Sequence, residues 1–111
     1  MVYDNVTKQL KFDIIEEESY IVNVNKVMEL NVVKEKYLTY DGSKIEYFKA
    51  TIFYAKGLST SFKFPTFELA KQLNETLLSY YRSGISNFID AVEIYNEIIS
   101  KYNNQVFYKI K

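Results

Sequence analysis

The feature that most constrains this chain is a change of hydrophobic period at its single proline, Pro65. Before Pro65 apolar residues recur mostly at every second position, the spacing of a half-buried strand. After it they recur at three and four, the spacing of an amphipathic helix. Strands that precede helices without βαβ alternation predict an α+β domain, with helices on one side of an antiparallel sheet. The 111 residues make one domain, 1–111, and contain no Gly/Ser/Pro-rich linker or internal repeat.

Leu10, Phe12 and Ile14 alternate with Lys11 and Asp13 as a first strand, and Tyr20, Val22 and Val24 begin another. Asp41-Gly42 lies between two long alternating runs and predicts a hairpin, because a two-residue turn needs residues that tolerate positive φ. With those two as the loop, Leu38 pairs with Ile45, Val32 with Thr51, Leu30 with Phe53 and Met28 with Ala55. The opposite face then carries Glu29, Glu35, Tyr37, Glu46 and Tyr54. Lys34 would oppose Lys49, so a bulge is expected near Val32-Val33. A second turn at Lys56-Gly57 sets Leu58 against Ala55 and Phe62 against Thr51, giving a meander over about 27–64 within a sheet of five or six strands. Thr66 caps a helix over 66–83 that Gly84 ends. Ser86 caps a second over 86–102, and the short connection implies an antiparallel αα-hairpin packed on one face of the sheet. The segment 105–110 reads as a short closing strand.

Absent residues exclude much chemistry. The chain has no Cys and no His, so ordinary zinc sites, cysteine nucleophiles, Ser-His-Asp triads, haem ligated by His or Cys and cysteine-ligated iron–sulfur clusters are ruled out. No disulfide can form. Glu16-Glu17-Glu18 offers oxygens to a cation, but successive strand residues point to opposite faces, so a solvated turn is expected there. Glu93 and Glu97 sit on the polar side of a helix, where nothing desolvates them. These residues imply no catalytic constellation, metal or cofactor, and an enzyme is not expected. The first residues lack the basic and apolar regions of a secretory signal, and the apolar runs are too short for a bilayer, so a cytoplasmic protein with no membrane partner is expected. The sequons at Asn5 and Asn74 are then chance matches. Abundant Lys, Asn, Ile and Tyr, with Arg82 the sole arginine, suit the AT-rich codons of a low-GC cellular or viral genome.

Two functions from different classes fit what remains. Formal charge is balanced, with 14 basic and 14 acidic residues, and a small neutral chain without catalytic groups suits a protein-interaction or inhibitor module, as phages and other mobile elements encode. Ile89, Leu78 and Phe67 lie at or off the edge of the helical stripes, and with Arg82 they mark a surface for a protein partner or a homodimer. The alternative is single-stranded nucleic-acid binding by the Lys/Tyr-rich sheet of residues 26–63. Seven lysines face four acids between residues 21 and 64, with aromatic rings interleaved. Lys34, Lys36, Tyr37, Tyr47, Lys49 and Tyr54 would supply phosphate contacts and stacking platforms.

Overall fold

Three small antiparallel sheets and two helices make up the fold in a computed structural model that describes residues 1–106. In chain order the strands are β1 (Val2–Asp4), β2 (Gln9–Lys11), β3 (Ile21–Asn23), β4 (Val27–Leu38), β5 (Lys44–Tyr54) and β6 (Ser59–Phe64). Then follow helix α1 (Phe67–Ser83), strand β7 (Phe88–Asp90) and helix α2 (Ala91–Val106). The α+β class and the β4-β5-β6 meander are as the periodicity predicts. The single sheet of five or six strands is not: β1 pairs with β2, β3 pairs with β7, and the meander stands as a sheet of three.

Polar side chains of α2 explain the division. Asn96 donates to the carbonyl of Ile15 at 2.8 Å and accepts from its N–H at 2.7 Å, closing a two-bond clasp. The Tyr95 hydroxyl donates to the Asp13 carbonyl at 3.3 Å, and Asn103 donates to the Phe12 carbonyl at 3.3 Å. Backbone groups that a ladder would have used are therefore satisfied by a helix, and the segment after β2 runs along α2 instead of beside the meander.

Residues 88–90 depart from the expected helix in the same way. They are extended and pair with β3, setting Ile89 opposite Val22. The Asp90 carboxylate accepts from the Val92 N–H at 3.0 Å, which caps α2, and from the Tyr20 N–H at 3.0 Å, which ties the strand pair to the helix start. Ser86 closes only its own turn, donating to the Phe88 carbonyl at 2.9 Å. The helices are thus joined through a strand and not by a short hairpin turn. Gln105 and Val106 belong to the last turn of α2, and the rest of the expected closing strand, 107–110, lies outside the described residues. Around α1 the local signals hold. Thr66 accepts from the Leu69 N–H at 3.2 Å, and Gly84, at φ +68°, donates its N–H to the Tyr80 carbonyl.

Both meander turns are one residue longer than the two-residue reading. Thr39 donates its N–H to the Ser43 carbonyl at 2.9 Å, so the loop is Tyr40-Asp41-Gly42, with Gly42 at φ +84°. The Asp41 carboxylate accepts from the Thr39 hydroxyl and from the Ser43 N–H, and the two bonds hold its pKa down at about 2. At the second turn the Tyr54 N–H reaches the Leu58 carbonyl at 2.8 Å, leaving three loop residues that end on Gly57 at φ +75°. Lengthening each loop by one residue keeps the faces of β4 and β6 as expected and inverts β5. Ala50 and Ile52, both fully buried, take the inner positions expected of Thr51 and Phe53. Their partners are Val32, Leu30, Phe62 and Thr60. Lys34 faces Phe48 and Lys49 faces Val33, so the like-charge pair does not arise. The bulge sits between Val27 and Glu29, away from Val32-Val33. The core lies between the inner face of the meander and the helices, where Phe64, Ile52, Leu73, Leu77, Ile99 and Val22 are fully enclosed.

Candidate protein-docking edge

Strand β4 forms one edge of the three-stranded sheet and, among the described residues, has β5 as its sole strand neighbour. Antiparallel ladders alternate between residues that bond across and residues whose N–H and C=O point away. Counting back from the bonded pair Thr39–Ser43, the odd residues of β4 bond to β5. The even ones, Leu30, Val32, Lys34 and Lys36, present their backbone groups outward along the open edge. Their side chains share the face that α1 packs against.

Helix α1 runs under only half of this edge. Phe67 at its start meets Phe48 edge to face at 6.2 Å, and Phe48 is the partner of Lys34. Further along, the Asn74 side chain donates to the Asn31 carbonyl at 3.0 Å. That bond accounts for Asn74 being buried in the middle of α1, and it withdraws the second sequon from solvent. Towards the end of α1, Leu77, Leu78 and Tyr81 line an apolar groove of about 340 Å³ with Val27, Met28 and Leu30. The bulge turns Met28 outward to 71% exposure, and Tyr81 is 56% exposed. Helical spacing puts Phe67, Lys71, Asn74, Leu78 and Arg82 on one flank of α1, beside the open edge.

Past Lys34 the helix no longer covers the strand pair, and the inner face carries exposed Lys34, Lys36 and Leu38. Lys34 lies 3.7 Å from Glu46, but both ends are more than half exposed, so the pair is weak. Glu35, the nearest acid on β4, points to the other face and binds Lys49 at 3.1 Å. Read along the edge, β4 therefore presents Met28, Leu30, Val32, Lys34, Lys36 and Leu38 on the inner face: three apolar residues, two cations and a leucine, with Glu46 of β5 across from Lys36 and Glu29 at the rim of the groove.

The six residues expected to bind nucleic acid are divided by this register. Tyr37, Tyr47 and Lys49 share the outer face, while Lys34, Lys36 and Tyr54 lie on the inner one. The Tyr37 ring already stacks on Tyr3 at 6.0 Å, and the Lys63 ammonium sits 5.7 Å from the Tyr47 ring centre. The Tyr54 hydroxyl is buried, and burial, followed by the neighbouring Tyr20 hydroxyl, raises its pKa well above the usual phenol value. Of the four expected interface residues, Phe67, Leu78 and Arg82 gather on the α1 flank, whereas Ile89 is separate. Ile89 lines a cleft of about 490 Å³ between the helices, where Glu75, Glu93 and Glu97 are solvated. Met28 and Tyr81 escaped the sequence reading: alternation marks Met28 as an inner residue, and only the bulge exposes it. Among the described residues no group of three Asp or Glu side chains is placed to hold a metal, and no helix is long and apolar enough to cross a membrane. Glu17 in the triple-glutamate segment has φ +60°, a turn conformation. Compared with protein-family models, curated proteins and solved structures, the chain matches none.

Proposed function

We propose that the protein is a small interaction module that acts by adding an extended segment of a protein partner to the edge of β4. The observation that carries this reading is a twelve-residue edge strand, Val27–Leu38, whose even residues turn their backbone groups away from β5 and meet no other strand among the described residues, with an apolar groove against α1 alongside it. Strand addition supplies affinity through main-chain hydrogen bonds and specificity through the side chains that alternate into such a groove. Occupying a partner's extended segment is also sufficient for inhibition, which needs no catalytic group. The single-strand nucleic-acid reading receives less support, because its six residues fall on two faces and, on the outer one, the Tyr37 ring already stacks on Tyr3 and Lys49 pairs with Glu35.

Peptides selected from a random display library on the wild-type protein provide the test, with amide hydrogen exchange as readout. Strand addition protects the amides of Leu30, Val32, Lys34 and Lys36, which point outward. Lys34→Pro removes one of these donors without taking a bond from the β4–β5 ladder, so the fold survives and peptide binding is lost. Peptides that bind while leaving those amides exchanging freely refute the mode.

A further inference from the structure

The inner face of the β4 edge specifies the chemistry of what it takes, and we infer that the occupant is an extended acidic segment in which two alternate carboxylates adjoin two alternate apolar residues. The inference rests on the strand-addition reading. In an added strand, residues directly opposite share a face, and opposite charges stabilise the pairing while like charges oppose it. Leu30 and Val32 are followed on that face by Lys34 and Lys36, and no acid of β4 lies among them; Glu46 of β5, across from Lys36 and 3.7 Å from Lys34, is half exposed and offsets only one of the two charges, weakly. The occupant therefore places apolar side chains opposite the first two and carboxylates opposite the lysines, a recognition length of roughly 20 Å. An apolar residue one step further reaches the groove of Met28, Leu78 and Tyr81.

A second copy of β4 does not meet this requirement. Two copies related by a twofold axis normal to the sheet pair only residues of the same parity, because paired residues share a face. The lysines are at even positions, 34 and 36, and the glutamates of β4 are at odd ones, 29 and 35. Lys34 and Lys36 consequently never meet Glu29 or Glu35 in such a dimer. The other edge strand, Ser59–Phe64, contains no acid either. The complementary charge has to come from a different segment.

Two short fluorescent peptides test the inference, one with alternate glutamates before alternate valines and one with that order reversed, threonine filling the remaining positions. The expected result is saturable binding by one of them that weakens with added salt. The double variant Lys34→Glu, Lys36→Glu lowers its affinity by roughly tenfold or more. The same variant gains affinity for a matched peptide carrying lysines in place of the glutamates. Charge reversal at Lys101, on α2, leaves binding unchanged. Equal binding of the glutamate and lysine peptides to the wild type overturns the acidic specificity, while protection of the β4 amides in both complexes would leave strand addition standing. Binding without that protection removes both, and an absence of saturable binding in either orientation overturns the acidic occupant alone. A dimer in sedimentation that Lys34→Pro dissolves would assign the edge to a second copy and overturn it as well.

Discussion

Replacing Ile52 by alanine separates the register of this structure from the one that a two-residue loop implies. Ile52 is fully buried on the inner face of the central strand, opposite Leu30 and Thr60, while Phe53 is half-buried on the other face. Truncation removes three carbons, worth about 2.4 kcal/mol at ~0.8 kcal/mol per buried methylene. The cavity left in a core held on both sides adds about 1 kcal/mol, so the expected loss is about 3–4 kcal/mol. Phe53→Ala removes a larger side chain from a half-exposed site and costs about 1–2 kcal/mol. A domain of this size loses about 4 °C of melting temperature per kcal/mol, which puts the Ile52 variant about 12–16 °C below wild type. Urea melts followed by far-UV circular dichroism give both numbers. If Phe53→Ala proves the more damaging by a clear margin, β5 is inverted relative to this structure. The inner-face order on which the proposed docking edge depends would then fall with it.

The Asp41 carboxylate has its pKa lowered to about 2, first by the Thr39 hydroxyl and then by the Ser43 N–H, so the folded state binds its proton less tightly than the unfolded chain does. Its contribution is complete above about pH 4 and disappears as pH falls towards 2, and Asp41→Asn flattens the acid limb of a stability–pH curve between those values. Tyr95 behaves in the opposite sense. Burial, and then the Asp13 carboxylate, push its pKa up to about 12, so its contribution is complete below pH 10 and is lost as pH rises through 12. Tyr95→Phe therefore removes that alkaline loss, and it also deletes the bond to the Asp13 carbonyl, read as a lower melting temperature at neutral pH. Titration of the protein with oligo-dT at low salt is expected to give no saturable anisotropy change, since the three lysines and three rings are divided between two faces. Tight, salt-sensitive binding would restore the nucleic-acid reading.

What was legible in the sequence is what nearest neighbours decide. Thr66 and Gly84 bound α1 because a cap hydroxyl and a left-handed glycine act within one turn of helix. The two periods on either side of Pro65 predicted the α+β class, because burial of a single face requires them. The positions of both meander turns were visible too, in Asp41-Gly42 and Lys56-Gly57. Their length was not. A glycine at positive φ closes a two-residue or a three-residue loop equally well. The choice fell to bonds between the flanking residues, Thr39 with Ser43 and Tyr54 with Leu58, and to the enclosure of Ala50 and Ile52. One residue per loop then decided whether Lys34 shares a face with Lys36 alone or with Lys49 as well.

Longer-range competition settled the remainder. Phe88, Ile89 and Asp90 fit the first turn of a helix, with Phe88 on its stripe and Ile89 off it, as readily as a strand, and they are extended because β3 and the Asp90 carboxylate offer partners some seventy residues away in sequence. The segment after β2 alternates like a strand, yet Tyr95, Asn96 and Asn103 satisfy its carbonyls from a helix about eighty to ninety residues further on. The proposed docking edge belongs to the same class. Its residues were individually visible, Leu78 and Phe67 as off-stripe apolar groups and Lys34 and Lys36 as part of a basic run. What placed them beside one another was the packing of α1 under half of β4 and the outward turn of Met28 at a bulge. Local sequence determines the conformation of a residue's own turn, while the face it presents depends on every hydrogen-bond register between it and the core.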